Sequence, residues 1–325
     1  MSPAGIRAKV QSYAGSSDVR PLVIDDSALY VEDKQRSVRD LFYTFQSDSF
    51  TGQDLSIMAR HLFEDRDIVE WDFAREPNSV VWCVMSDGTL LSMTYVRTHE
   101  IWGWCRHDTA GEVESVCSIG EGDEDAVYLI VKREINGSDV RYVERLTRAT
   151  CHCPATAFYV DCGLQYDGAA TTTLSGLDHL EGEEVAIVGD GNVLPRRTVT
   201  DGSITLATAV SKASVGLPYT AEIETLEMEA EVAGGMATRK RAVKEVHLLI
   251  NNTRALFVGA GQGEQLDEIA QRSTSQDYDS AIPLESGWRS VRVQGGWSKQ
   301  GRVYIQSPEP MPFEILSIRP ELVSE

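Results

Sequence analysis

Between residues 20 and 150 apolar and polar positions alternate in short runs broken by turn residues, the pattern of half-buried strands. Val19–Ile24 and Ala28–Val31 flank Asp25-Asp26, and Val38–Phe45 follows. Ser79–Met85 and Thr89–Val96 flank Ser86-Asp87-Gly88, which predicts a hairpin. Ile101–Arg106 and Glu112–Ile119 flank Asp108-Thr109-Ala110-Gly111. Ala126–Glu134 and Val140–Leu146 flank Asn136-Gly137, the strongest hairpin signal in the chain. One segment departs from this period. Leu55, Met58, Ala59 and Leu62 follow helical spacing and predict one short helix near residues 54–63, capped by Thr51 or Asp54 and either packed across a strand edge or inserted between two sheet units.

The strand units repeat weakly. Ser37-Val38-Arg39-Asp40-Leu41 is similar to Asp139-Val140-Arg141-Tyr142-Val143, and Ser79–Val84 is similar to Asp125–Ile130. Hairpins recurring every ~45–60 residues match the size of a four-stranded propeller blade. The predicted fold class is therefore all-β, with a partial β-propeller-like domain over 1–162; a β-sandwich of hairpins is the competing architecture. Gly163, Gly168, Gly176, Gly182, Gly189, Gly191 and Gly202 divide the next segment into short strands, so a small β-barrel or sandwich module is expected over 163–232. Residues 233–325 supply strands that complete the body. Within them Lys244–Ile250 and Ala255–Val258 are expected to form a hairpin about Asn251-Asn252, and 260–284 read as a polar surface loop.

Charge narrows the functional classes. The 325 residues carry 30 Lys+Arg against 50 Asp+Glu, a net charge of −20, and the acidity is spread evenly: residues 1–150 hold 16 basic and 26 acidic side chains, the rest 14 and 24. A protein that grips nucleic acid through phosphates needs a basic face, and only Arg239-Lys240-Arg241 forms a basic run. The apolar runs are strand-sized, so no membrane span is expected. The opening residues lack the apolar core of a signal peptide, which implies folding in a cytoplasm with reduced thiols.

Candidate chemistry is sparse. Cys83, Cys105 and Cys117 sit in apolar runs and read as small buried hydrophobes. Cys151-His152-Cys153, with Asp161 and Cys162 downstream, is the one cluster with ligand character, but its C-x-C spacing chelates poorly and no second pair completes it. The GDGN run at 189–192 and the GAGQG run at 259–263 lack the strand–turn–helix context of phosphate loops. Asp65, Asp67 and Asp123-Glu124-Asp125 read as solvated turns. No residue is assigned as catalytic, cofactor-binding or metal-ligating, and the chain is expected not to be an enzyme.

Residues 52–146 carry a resemblance. The stretch GQDLSIMARHLFEDRDIVEWDFAREPNSVVWCVMSDGTLL, then EVESVCSI and NGSDVRYVERL, resembles the tail nozzle (tail tubular protein B) family of short-tailed phages and prophages. SGLDHLEGEEVAIVGDGNV, VGLPYTAEIETLEMEA and GGWSKQGRVYIQSPEPMPFEILSIRPEL continue it. The part LDHLEGEEVAI to VLPRRTVTDGSITL is also similar in shape to the first catalytic-cysteine half-domain module (FCCH) of ubiquitin-activating enzymes. The family implies a virion structural protein: a homohexameric tube in the tail, made in the host cytoplasm, touching other tail proteins (adaptor, fibres). DNA passes its lumen without specific binding. An acidic wall suits that task because it repels phosphates. The alternative is a glycan-binding or glycan-cleaving propeller, which needs a pocket with two carboxylates ~5–9 Å apart and stacking aromatics. Trp82, Trp102 and Trp104 are the aromatics available, though their in-strand positions suggest core.

Overall fold

A computed structural model describes residues 13–147, 153–228, 240–272, 276–277 and 280–324. The chain is all-β and divides into two compact units, Met1–Thr147 and Arg148–Glu325.

The first unit is a series of antiparallel meanders. Strands β1 (Leu22–Ile24), β2 (Ser27–Val31), β3 (Val38–Thr44) and β4 (Ser49–Thr51) make one sheet; β5 (Ile68–Ala74), β6 (Val80–Met85), β7 (Leu90–Val96) and β8 (Ile101–His107) make the second; β9 (Glu112–Glu121), β10 (Glu124–Ile135) and β11 (Ser138–Arg145) make the third, with β10 in the middle. The second sheet explains the others. Its odd residues Val81, Cys83, Met85, Leu91, Met93 and Tyr95 pack on Ile24, Leu29, Val31 and Val38 of the first sheet. Its even residues Val84 and Leu90 pack on Val113, Val116, Val127, Leu129 and Val131 of the third. A sheet covered on both faces must be apolar at almost every position, which is why β6 reads VVWCVM. Each such side chain contributes ~1.5–3 kcal/mol on burial. Polar ties reinforce the second interface: Glu70 and Asp72 of β5 accept from the backbone N–H of Val116 and Ser118 at 3.2 and 2.6 Å.

The expected hairpins about Asp87-Gly88 and Asn136-Gly137 form, the latter with both residues at positive φ (48° and 72°). The expected helix does not form as an α-helix. Residues Ile57–Leu62 make 3₁₀ turns kinked at Ala59, and Met58, predicted to face the core, is exposed while Leu55, Ala59 and Phe63 are buried. Asp54 spends its carboxylate on the N–H and hydroxyl of Ser56, tightening the entry instead of capping a regular helix.

Among its described residues the second unit holds three sheets. Strands β12 (Asp161–Ser175), β13 (Glu184–Gly189), β14 (Asn192–Thr198) and β15 (Ser203–Leu217) form an open sheet in the order β12-β15-β13-β14, so this part closes no barrel. The expectation of uniformly short strands is corrected, because β12 and β15 each run 15 residues. Their glycines permit close backbone approach instead of ending strands. A Cβ on Gly216 would lie 2.5 Å from the Asp161 carbonyl oxygen and 2.7 Å from Gly163 Cα.

Strands β16 (Ala221–Glu224), β17 (Arg241–Thr253), β18 (Phe257–Gly259), β19 (Asp267–Glu268), β20 (Glu285–Arg292), β21 (Tyr304–Ser307) and β22 (Ile315–Ser324) complete the unit. They form the sheets β16-β21-β18-β19 and β20-β17-β22. These pack face to face through Val246, Leu248 and Ile250 on one side and Val258 and Ile305 on the other. The predicted Asn251-Asn252 hairpin is absent, since β17 pairs with β20 and β22 while β18 joins the facing sheet. No helix among the described residues is long and apolar enough to cross a membrane.

Candidate functional site

A concavity lies in the first unit. A cleft of ≈ 430 Å³ is lined by Asp25, Phe73, Arg75, Glu76, Ser79 and Tyr95 among others, within the size range of small-molecule sites. Its walls are held from several elements. Asp25 stands at φ 52° in the β1–β2 turn. The Arg75-Glu76 loop is fixed by Asp125, whose carboxylate accepts both backbone N–H groups at 2.7 and 3.1 Å and whose own N–H reaches the Glu76 carbonyl at 2.9 Å. Ser79 donates to the Tyr95 carbonyl at 2.5 Å. Behind the wall Arg97 stacks on Phe42 at 3.6 Å and bonds Ser27. Burial pushes the Tyr95 phenol above its ordinary pKa, and the nearby Asp40 charge adds to this. The cleft thus presents two carboxylates, one guanidinium and the partly exposed Phe73 ring, a set suited to a polar, hydroxyl-rich ligand.

The second unit contains a buried ionic group. Arg254 donates through Nη1 to the carbonyls of Gly191 (2.9 Å) and Ile282 (3.4 Å) and through Nε to Gln271 Oε1 (3.3 Å). Near it burial pushes the Glu309 carboxyl above its ordinary pKa, the Arg254 charge opposes this, and Glu268 adds to it. Glu309 Oε2 is buried without a hydrogen-bond partner among the described residues. The adjoining cavity, ≈ 20 Å³ between Arg254, Gln271 and Glu285, admits about one water. This group can hold a proton and tie loops together, but it has no room for a substrate.

Ser92 and His107 are joined at 2.7 Å, Oγ to Nε2, with the Trp82 ring 5.0 Å from the imidazole. Ser92 is buried, and burial holds His107 below its ordinary pKa. The pair faces the packed interface of the second and third sheets, not the cleft.

The residues singled out from sequence fall as follows. Trp104 donates to the Leu55 carbonyl at 2.9 Å and meets Phe63 edge-on at 4.9 Å; Trp102 packs on the same core, and Trp82 on the next. None lines the cleft. Cys83 is buried, but Cys105 and Cys117 are exposed, because they alternate onto the outer sides of β8 and β9. Of the Cys151-His152-Cys153 cluster the first two lie outside the described residues; Cys162 sits at φ 48° in β12, its carbonyl 2.9 Å from His179 Nε2. Residues 189–192 form the β13–β14 turn, where the Asp190 carboxylate accepts from the N–H groups of Ser211 and Lys212. The 259–263 run ends β18 without a following helix. Arg36 pairs with Asp65 and Asp67, and Arg145 with Glu124. In the basic triplet, Arg239 lies outside the described residues, Lys240 is exposed, and Arg241 is buried with its guanidinium on the carbonyls of Lys299 and Met228. Arg241 is therefore unavailable to phosphates. The cleft carboxylates gave no local signal, because Asp25 and Glu76 come together only through sheet packing.

Fold and cleft define an all-β protein of antiparallel sheets whose first unit carries an open polar groove. No protein-family model and no curated protein matches the chain. Among solved structures it is similar to exo-beta-1,3-galactanase from Phanerochaete chrysosporium with beta-1,3-galactotriose, at 11% identity over 96% of this chain and 69% of that one, TM-score 0.26. It is also similar to exo-inulinase from Aspergillus awamori, at 12% identity over 91% and 78%, TM-score 0.22. Likenesses at this level fix no activity for the chain. They also correct one expectation: the statement that the chain is not an enzyme is withdrawn, since the similar structures are glycan-cleaving enzymes.

Proposed function

We propose that the chain is a wall subunit of a phage tail conduit, of the nozzle class its segments between 52 and 146 resemble. One observation supports this reading. The outer face of the third sheet of the first unit leaves Ile119, Ile130 and Val143 exposed, Val143 at 75%. Blades bury such faces on a neighbour, and repetition around a ring supplies one by a heterologous contact. The even −20 charge lets such a wall face DNA without holding it. Light scattering with negative-stain imaging tests this. Rings with a central hole that Val143→Asp disperses are the expected result; a monomer with no rings across the accessible concentration range refutes it.

A second reading, glycan binding or cleavage, is favoured by the cleft between Asp25 and Glu76. Incubation with beta-1,3-galactan and inulin checks it. Release of sugars by the native chain, abolished in Glu76→Gln, supports this reading; no binding and no hydrolysis removes it.

A further inference from the structure

We propose that Glu245, His247 and Glu321 form a binding site for a divalent first-row transition-metal ion on the outer face of the β20-β17-β22 sheet. The local pattern places them there. Val246, Leu248 and Ile250 of β17 point into the sandwich core, so Glu245 and His247 point outward on the same side. Glu245 lies directly across from Glu321 of β22, after a register shift between Val243 and Glu245. One ligand atom from each of the three residues lies within 4.8 Å of the others. Ligands ~2.0–2.2 Å from a metal sit roughly 3–3.5 Å apart. Small rotamer changes of two surface glutamates therefore close the set.

A second feature belongs to metal sites and is not needed by a solvated acidic face. His247 Nδ1 lies 2.6 Å from Ser290 Oγ on β20. That contact, from the strand opposite β22, fixes the ring and leaves Nε2 as the ligand nitrogen, the outer-shell arrangement that orients metal-bound histidines. The neighbouring cations compete little. Arg319, the cross-strand partner of His247, is drawn over the Trp288 ring at 4.6 Å. Lys244 reaches Glu321 only at 3.8 Å, with both side chains more than half exposed, a pairing worth little. Arg292 stands opposite Glu245 on β20. One imidazole and two carboxylates suit Zn²⁺, Mn²⁺, Fe²⁺ or Co²⁺ and leave positions for water, whereas Ca²⁺ takes six to eight oxygens.

Co²⁺ titration of the full chain, with thiols first alkylated, tests the site. The expected result is one saturable equivalent, weakened at least tenfold in both His247→Gln and Glu321→Gln and little changed in Lys244→Ala, whose exposed pairing with Glu321 is weak. These side chains face solvent, so the variants should melt as the native chain does. In the native chain, independently of any variant, bound Co²⁺ should shift the His247 ring resonances. Absence of saturable binding below 1 mM, binding unchanged in both ligand variants, or an unshifted His247 overturns the proposal.

Discussion

Arg133 lies fully buried beneath Glu144, donating from Nε and Nη2 to the two carboxylate oxygens at 2.6 and 2.8 Å. Its Nη1 reaches Thr109 Oγ1 and the Ala110 carbonyl at 2.8 and 2.9 Å, so one guanidinium ties β10, β11 and the loop before β9. A buried pair is costly to break and cheap to replace, because the lone charge left behind carries the desolvation cost. Glu144→Ala should therefore destabilise the first unit by about 3 kcal/mol in urea unfolding. The double variant Arg133→Met with Glu144→Leu should recover most of that loss. Equal losses in both would show that the pair itself, not an uncompensated charge, sets the effect.

Gly216 and Gly163 let β12 and β15 approach more closely than side chains allow. Alanine at 216 would set its methyl 2.5 Å from the Asp161 carbonyl and 2.7 Å from Gly163 Cα, atoms that cannot step aside without bending the strand. Gly216→Ala should cost about 2–3 kcal/mol, the upper range for overpacking. Gly103→Ala, where nothing lies within 4 Å, is the control and should change unfolding little. Comparable melting curves for the two variants would contradict the close-approach account.

The sequence showed some of this plainly and some of it not at all. The Asn136-Gly137 and Asp87-Gly88 turns were legible because Asn136, Gly137 and Gly88 stand at positive φ, which favours Asn and Gly. The both-face burial of β6 was legible as an unbroken apolar run. The helix near 54–63 was misread because Leu55, Met58, Ala59 and Leu62 satisfy helical spacing, while in the 3₁₀ turns Leu55 and Ala59 are buried and Met58 is exposed. Gly163 and Gly168 looked like strand breakers, although a glycine that permits contact and one that ends a strand are identical as letters. The cleft was hidden because Asp25 and Glu76 are set by two different sheets. His247 looked isolated for the same reason, its acidic neighbour Glu321 arriving from a strand 74 positions on.

Glu309 gives a pH test in the second unit. Burial raises its folded pKa above the ordinary carboxylate value, and Arg254 only partly opposes this. The folded state therefore binds the proton more tightly than the unfolded chain. Its contribution to stability is full below the ordinary value of 4.5 and is lost as pH rises through the folded value. Glu309→Gln imitates the protonated form. It should be more stable than the native chain at pH 7, with the gain shrinking toward pH 4.5. A gain independent of pH, measured by denaturant midpoints across this range, would assign the effect to something other than the buried charge.

His107 carries the opposite sign. Burial lowers its folded pKa below the ordinary 6.5, and the Asp108 charge only partly offsets this. The unfolded chain then takes up a proton that the folded imidazole refuses. Stability is full above pH 6.5 and falls as pH drops from there toward the folded value. His107→Gln keeps a partner for Ser92 Oγ, which in the native chain is 2.7 Å from Nε2, but cannot titrate. The variant should lose some stability at pH 8 through poorer packing on Trp82, yet its unfolding midpoint should change less than the native one between pH 7 and 5. Glu309 is unchanged in both chains, so the difference between the two profiles isolates the imidazole. Parallel profiles would mean that His107 is protonated in the folded state at pH 5 at no cost. The Ser92 contact would then have to hold an imidazolium, against the desolvation its position between the second and third sheets imposes.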